Sequence, residues 1–145
     1  MEMNVAELPE KIHLEIVTPE RVVVSEDVDS VNAPGALGEF GVLPGHTAML
    51  TTLTIGRVSY RAGGRTTDLA IAWGYAEVGP EEVTILAETA EKMEEIDVPR
   101  AESARQRALE QLSRGEDVDA DRAMEAFKRA TLRLQVGGEK ESPSH

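Results

Sequence analysis

The hydrophobic pattern of this 145-residue chain changes its period once, at about Asp97, and that change limits what it can fold into. Up to residue 96, apolar residues come in short runs or alternate with polar ones, the period of a strand. Beyond it they recur at spacings of three and four, the period of a helix packed along one face. One chain therefore joins a sheet-forming part to a helix-forming part.

The first part reads as short strands with turn punctuation. His13–Thr18 stops at Pro19, and Arg21–Ser25 follows at once. Val28–Ala33 alternates and stops at Pro34-Gly35. Thr47–Leu53, Gly56–Ala62, Thr66–Ala72, Tyr75–Gly79 and Glu82–Ala87 continue the series. Gly63-Gly64 reads as a hairpin turn and Gly79-Pro80 as another break. Turn signals about every 8–12 residues predict an antiparallel sandwich or barrel.

The second part reads as two helices. Asp97 is placed to cap the first, with Pro99 in the first turn, where a missing N–H is harmless. Gly115 is a stop signal, and Asp119 is placed to cap the second helix, which should run to about Val136. Ala101, Ala104, Ala108 and Leu112 form one seam, and Ala120, Ala123, Phe127, Ala130 and Leu134 the other. The short link makes the pair antiparallel. Alanine seams allow close approach but bury little area, so this hairpin should be marginally stable and able to detach or extend. The expected organisation is an extension over 1–10, a sandwich over 11–96, a helical hairpin over 97–136 and a disordered tail over 137–145.

Charge excludes several functions. The formal net charge is −12, which opposes nucleic-acid binding and docking on anionic lipid. It is uneven: 17 acidic and 6 basic residues before Asp97, 10 and 9 from there on, seven of the nine being arginine. The absence of cysteine excludes disulfides and thiolate chemistry. The N-terminus is acidic without an apolar run, so it does not read as a signal peptide, and no stretch reads as membrane-spanning.

No catalytic or metal-ligand spacing emerges around His13, His46 and His145. The glycine-rich stretch Gly35–Gly41 is not a phosphate loop, because it opens no helix and no Gly-Lys-Ser/Thr follows. Its glycines suit a tight bend between strands.

That stretch carries a resemblance. Gly38-Glu39-Phe40-Gly41-Val42-Leu43-Pro44-Gly45-His46 resembles the Gly-x-x-Gly-x-x-Pro-Gly-His loop of ATP synthase epsilon subunits. Ile12–Pro19 is similar to the family's first strand, and Val83–Ala87 to its last sandwich strands. Ile96-Asp97-Val98-Pro99-Arg100-Ala101 resembles the motif that opens the family's helical hairpin, and Val118–Ala123 nearly repeats it. The resemblance covers about residues 11–136. It implies a β-sandwich of about ten short, mainly antiparallel strands followed by an antiparallel two-helix hairpin. It also implies a non-catalytic central-stalk subunit of a proton-translocating F-type ATP synthase at the cytoplasmic face of the bacterial plasma membrane. The implied partners are the gamma shaft, the membrane ring of c subunits and the alpha/beta head. Glu39 and His46 are expected at the ring, and Arg122, Lys128, Arg129 and Arg133 near the head, where an extended hairpin hinders ATP hydrolysis.

The arginines have two readings. Arg100 and Arg107 are nearly aligned on one helix, and Arg122, Arg129 and Arg133 form a stripe flanking the seam of the other. They can converge on one polyanion through bidentate hydrogen bonds. Equally, they can be ordinary surface pairs: Glu125 and Arg129 stand at i,i+4, worth about 0.2–0.5 kcal/mol. The resemblance implies that ATP, as a regulatory ligand and not a required cofactor, would meet Glu91, Ile96, Asp97, Arg100, Ala101, Arg107, Arg129 and Arg133. Two rival readings are a free-standing ATP-sensing module and a plain sandwich adaptor with a helical tail.

Overall fold

The structure, a computed structural model, describes residues 10–115 and 120–139. The expectations for residues 1–9, for Asp119 as a cap and for the chain beyond 139 lie outside the described residues. Eight strands come first: β1 (Ile12–Val17), β2 (Val22–Val28), β3 (Ser30–Gly35), β4 (Gly38–Val42), β5 (Met49–Leu53), β6 (Gly56–Ala62), β7 (Arg65–Val78) and β8 (Glu82–Lys92). A single 3₁₀ turn, Met93–Glu95, leads to α1 (Val98–Ser113) and α2 (Ala120–Gly138). The order is that of a β-sandwich followed by a helical hairpin.

Strict alternation sets the sandwich. In β1, Ile12, Leu14 and Ile16 are fully buried while His13 is exposed, so one face enters the core. β1 pairs antiparallel with β2 and parallel with β8, the one parallel pairing among the described strands. β7 is longer than its sequence suggests: the segments around 66–72 and 75–79 are one strand. Its first half pairs with β6 and the end of β8, its second half with β5 and the start of β8. The change occurs at Trp73 and Gly74, where φ is 52° and 153°. Before this corner Leu69 and Ile71 face the core; after it Ala76 and Val78 do. β8 switches in step, from Ile85 and Ala87 to Ala90. Both strands thus belong to both layers. The main core, from Ile12 to Ala90, is drawn wholly from the strands and the residues beside them.

The stretch Gly38–His46, expected as a loop from the resemblance, is half strand. β4 pairs with β3 from Val31↔Val42 to Gly35↔Gly38, so Glu39 lies in a hairpin strand and only the residues after Val42 form a loop. Gly63-Gly64 makes the expected two-residue turn between β6 and β7, with φ of 59° and 82°.

The helices follow their sequence signals at the start and depart from them at the end. Asp97 caps α1, its side chain accepting from the Arg100 N–H at 3.1 Å, with Pro99 in the first turn. Ala101 and Ala108 of α1 and Ala123 and Ala130 of α2 are buried in the seam, while Ala120 is exposed. Arg105 stacks over the Phe127 ring at 5.3 Å, joining the two helices. At its far end α2 does not stop at Val136: Gly137 and Gly138 are helical, where a disordered tail was expected. Docking explains the difference. Val136, Ile96 and Ala70 of β7 form a second small core with Leu132, Met93 and Val98 around it. A Cβ on Gly137 would stand 2.7 Å from Ile96 Cγ2, so glycine lets the helix sit this close.

The corner is the position least open to substitution. A Cβ on Gly74 would lie 1.8 Å from the Leu86 carbonyl oxygen, with no flexible side chain to yield. Gly74→Ala should destabilise the protein by about 2 kcal/mol or more. Denaturant unfolding followed by sheet circular dichroism measures this; a change below about 0.5 kcal/mol would show that the corner relaxes.

Candidate functional site

The expected polyanion residues fall mostly around one cleft of about 630 Å³ where the hairpin meets the sandwich. That volume lies within the range of about 300–1,000 Å³ typical of small-molecule sites. The end of β8 supplies Glu88, Thr89, Ala90 and Glu91, and the cap Asp97 stands at its edge. Helix α1 turns Arg100, Ala101, Ala104 and Arg107 toward it, and α2 contributes Arg133.

The cleft is braced by carboxylates. Arg133 Nε donates to Glu91 Oε1 at 2.5 Å, with both side chains 31% exposed. Arg21 donates to Glu95 Oε2 at 2.7 Å, and the Lys92 N–H donates to Glu95 Oε1 at 3.1 Å. Burial pushes the Glu95 carboxyl up, but the Lys92 N–H and the Arg21 guanidinium outweigh it and hold its pKa below the ordinary value. Arg100 and Arg107 have no ion-pair partner among the described residues. Two guanidinium groups on one helix face, without ion-pair partners among the described residues, can donate to phosphate oxygens without losing an internal partner.

Two of the expected ligands stand apart. Ile96 is buried, 2% exposed, in the small core beneath the cleft. Arg129 lines a narrow neighbouring crevice with Ala70, Ala72, Thr89 and Leu132, and pairs with Glu125 at 3.9 Å. In this arrangement Arg129 forms the surface pair, while Arg100, Arg107 and Arg133 line one cleft. Thr18, Glu20, Arg21, Glu88 and Glu95 also line the cleft and have no signal in the sequence. They arrive by the β1–β2 turn, closed by the Thr18 N–H donating to the Arg21 carbonyl at 2.9 Å, and by strand pairing.

The remaining candidates lie elsewhere. Glu39 is exposed on β4, beside the fully exposed Leu37 of the β3–β4 turn. His46 is half-buried and its Nδ1 donates to the Thr47 carbonyl at 2.6 Å. The loop that holds it is tied to the β7–β8 turn by the Gly45 N–H donating to the Pro80 carbonyl at 2.8 Å. Arg122 and Lys128 are exposed on α2. Among the described residues, no group of three or more His, Asp or Glu side chains is arranged to hold a metal ion. No described helix is long and apolar enough to cross a membrane.

A second surface was not specified residue by residue in the sequence. Val22, Val17, Leu86 and Tyr75 are direct cross-strand partners over β2, β1, β8 and β7. They form one apolar row on the outer face, with Val22 58%, Leu86 39% and Tyr75 50% exposed. The neighbouring row, Ser25, Glu15, Thr84 and Glu77, is polar and acidic.

Comparison with known proteins places this geometry in a family. The family described as ATP synthase, Delta/Epsilon chain, beta-sandwich domain matches residues 11–93. Its long alpha-helix domain matches residues 94–138. A relative from Geotalea daltonii, an ATP synthase epsilon chain, is 50% identical over 134 residues, which are 91% of this chain and 97% of its own. One from Nitratidesulfovibrio vulgaris, also an ATP synthase epsilon chain, is 48% identical over 132 residues, 90% and 98%. A chain of the Euglena gracilis mitochondrial ATP synthase has the same fold, with a TM-score of 0.68 at 22% identity over 97% of this chain and 85% of that one.

The cap of α1 positions the cleft, because the Asp97 side chain fixes where Arg100 begins. Asp97→Ala should lower stability by about 1 kcal/mol. The loss should appear as reduced helical signal in circular dichroism at temperatures where the sheet signal persists. Joint loss of both signals would tie the cap to the whole fold instead.

Proposed function

The chain belongs to the ATP synthase delta/epsilon chain family, and from that premise we propose how its surfaces work in a rotary ATP synthase. The subunit is non-catalytic. The sandwich joins a central shaft to the membrane ring of c subunits, so that rotation driven by proton flow reaches the catalytic head. It sits peripherally, at the cytoplasmic face of the membrane.

The observation that carries this reading is the exposed apolar row Val22, Val17, Leu86 and Tyr75. An in-register apolar row on the face of a sheet marks a surface that a partner covers. We assign it to the gamma shaft. Glu39 and His46, with exposed Leu37 and Leu43 beside them, form the end assigned to the ring. Leu86→Glu places a charge in the middle of the row without touching the core. Pull-down from membranes with this variant should recover gamma at least tenfold less than the original chain, with an unchanged sheet signal. Undiminished recovery of gamma would remove the row from the interface; no gamma with either chain would favour a free-standing module.

The hairpin regulates. Docked on the sandwich, it leaves rotation free in both directions. Extended along the shaft, it presents Arg122, Lys128, Arg129 and Arg133 to acidic segments of the alpha/beta head and hinders ATP hydrolysis. In the docked form Arg133 is held by Glu91, so docking and head contact compete for that side chain. ATP in the cleft would stabilise the docked form by RT ln(1 + [L]/Kd), since the cleft is built from both parts. Charge-assisted hydrogen bonds are worth roughly 1.5–3 kcal/mol each. Arg107→Ala should therefore weaken ATP binding at least about tenfold in calorimetry on the isolated subunit, and Arg129→Ala much less. No heat of binding at millimolar ATP would leave the arginines as a docking surface for the head alone.

A further inference from the structure

Docking completes α2 at the one end where its own sequence works against a helix. Gly137 and Gly138 are both helical, although each costs up to about 1 kcal/mol relative to alanine. The C-terminal end of a helix carries partial negative charge and favours a cation. The last turn of α2 has no basic residue, and the next residue is Glu139, a further negative charge. The cation comes from the sandwich. Arg57 of β6 donates Nη1 and Nη2 to the two oxygens of Glu139, at 3.1 and 2.6 Å. Asp68 of β7 stands 3.8 Å behind the guanidinium and helps to orient it. The Arg57 side chain is 34% exposed, so the bidentate pair is partly shielded from solvent. Next to it, Gly137 is pressed on Ile96 and Val98, and Val136 is fully buried.

We propose that Val136–Glu139 is a conditional last turn, helical only while Arg57 and the small Ile96 core hold it against the sandwich, and that it acts as the latch of the docked hairpin. The inference rests on the hairpin having a detached arrangement. It differs from the cleft in its dependence on ligand. Arg133–Glu91 lies among the cleft residues, where a bound polyanion competes for the arginine. Arg57–Glu139 lies outside the cleft lining and does not meet such a ligand. The latch therefore holds in the absence of ATP. Releasing it removes the last three residues of α2 and the docked position together, so detachment begins at this end of α2.

The test uses the full chain without nucleotide. Amide exchange is followed over Val136–Glu139, and the sandwich–hairpin distance by dye labels on cysteines introduced at Arg65 and Glu102, both exposed; the chain has no cysteine of its own to interfere. Arg57→Glu and Glu139→Arg should each raise exchange over the last turn and the detached fraction by about two- to fivefold, the range for a partly exposed ion pair. The charge-swapped double variant should restore both. Raising the salt to about 1 M should move the original chain in the same direction. Gly138→Ala, whose Cβ meets nothing within 4 Å, should slow exchange of the last turn. Gly137→Val, which collides with Ile96, is the positive control for detachment. If Gly137→Val detaches the hairpin while both charge variants behave like the original chain, the latch is wrong and the two-arrangement reading stands. If no variant detaches it, both fall. Failure of the double variant to recover, with the sheet signal intact, would also overturn the pairing.

Discussion

The strand pair β7–β8 turns a corner at Trp73–Gly74, and the other surfaces depend on it. There the backbone of β7 comes so close to the Leu86 carbonyl that no side chain fits on Gly74. On one side of the corner the outward residues of β7 are Ala70 and Ala72; on the other they are Tyr75 and Glu77. Small residues make a seat for a helix, and large apolar ones make a surface for a partner. One strand therefore presents two chemically different outer faces because its parity shifts by one residue midway.

The hairpin is held by little apolar area and several charges. Its seam is largely alanine, and its contact with the sandwich is a core centred on Ala70, Ile96 and Val136. Around that core the ion pairs run in both senses. Arg133 of α2 meets a sandwich carboxylate, while Glu139 just past α2 meets a sandwich guanidinium. Crossed polarity fixes where the helix sits, because sliding it along the sheet would bring like charges together. Each pair is partly exposed and individually modest.

The cleft follows the same logic in a chain of net charge −12. Glu91 and Glu95 neutralise Arg133 and Arg21, leaving Arg100 and Arg107 on one helix face. The arginine stripe legible in the sequence is therefore divided between the cleft and the crevice beside it, with Arg133 lining both. Arg129 stands one turn N-terminal to Arg133, yet it lines only the narrow crevice, which Arg133 shares with the cleft, and it pairs with a different carboxylate. Spacing along a helix reports which residues share a stripe; it does not report where the sheet beneath that stripe ends.

Local signals alone determined much of this protein. Alternation in Ile12–Val17, the Gly63-Gly64 turn, and Asp97 with Pro99 at the start of α1 specify strand, hairpin and helix through backbone geometry and nearest-neighbour hydrogen bonds. The motifs around Gly38–His46 and Ile96–Ala101 identified the family. Tertiary structure decided the rest, because those contacts join residues far apart in the chain. Two apparent strands became one across Trp73–Gly74, since pairing with β8 continues through the bend. Arg21 reached the cleft by way of a turn 74 residues from its partner Glu95. Gly137 and Gly138, which propensity places outside a helix, are inside one, because docking on Ile96 and the Arg57 guanidinium outweigh what the glycines cost.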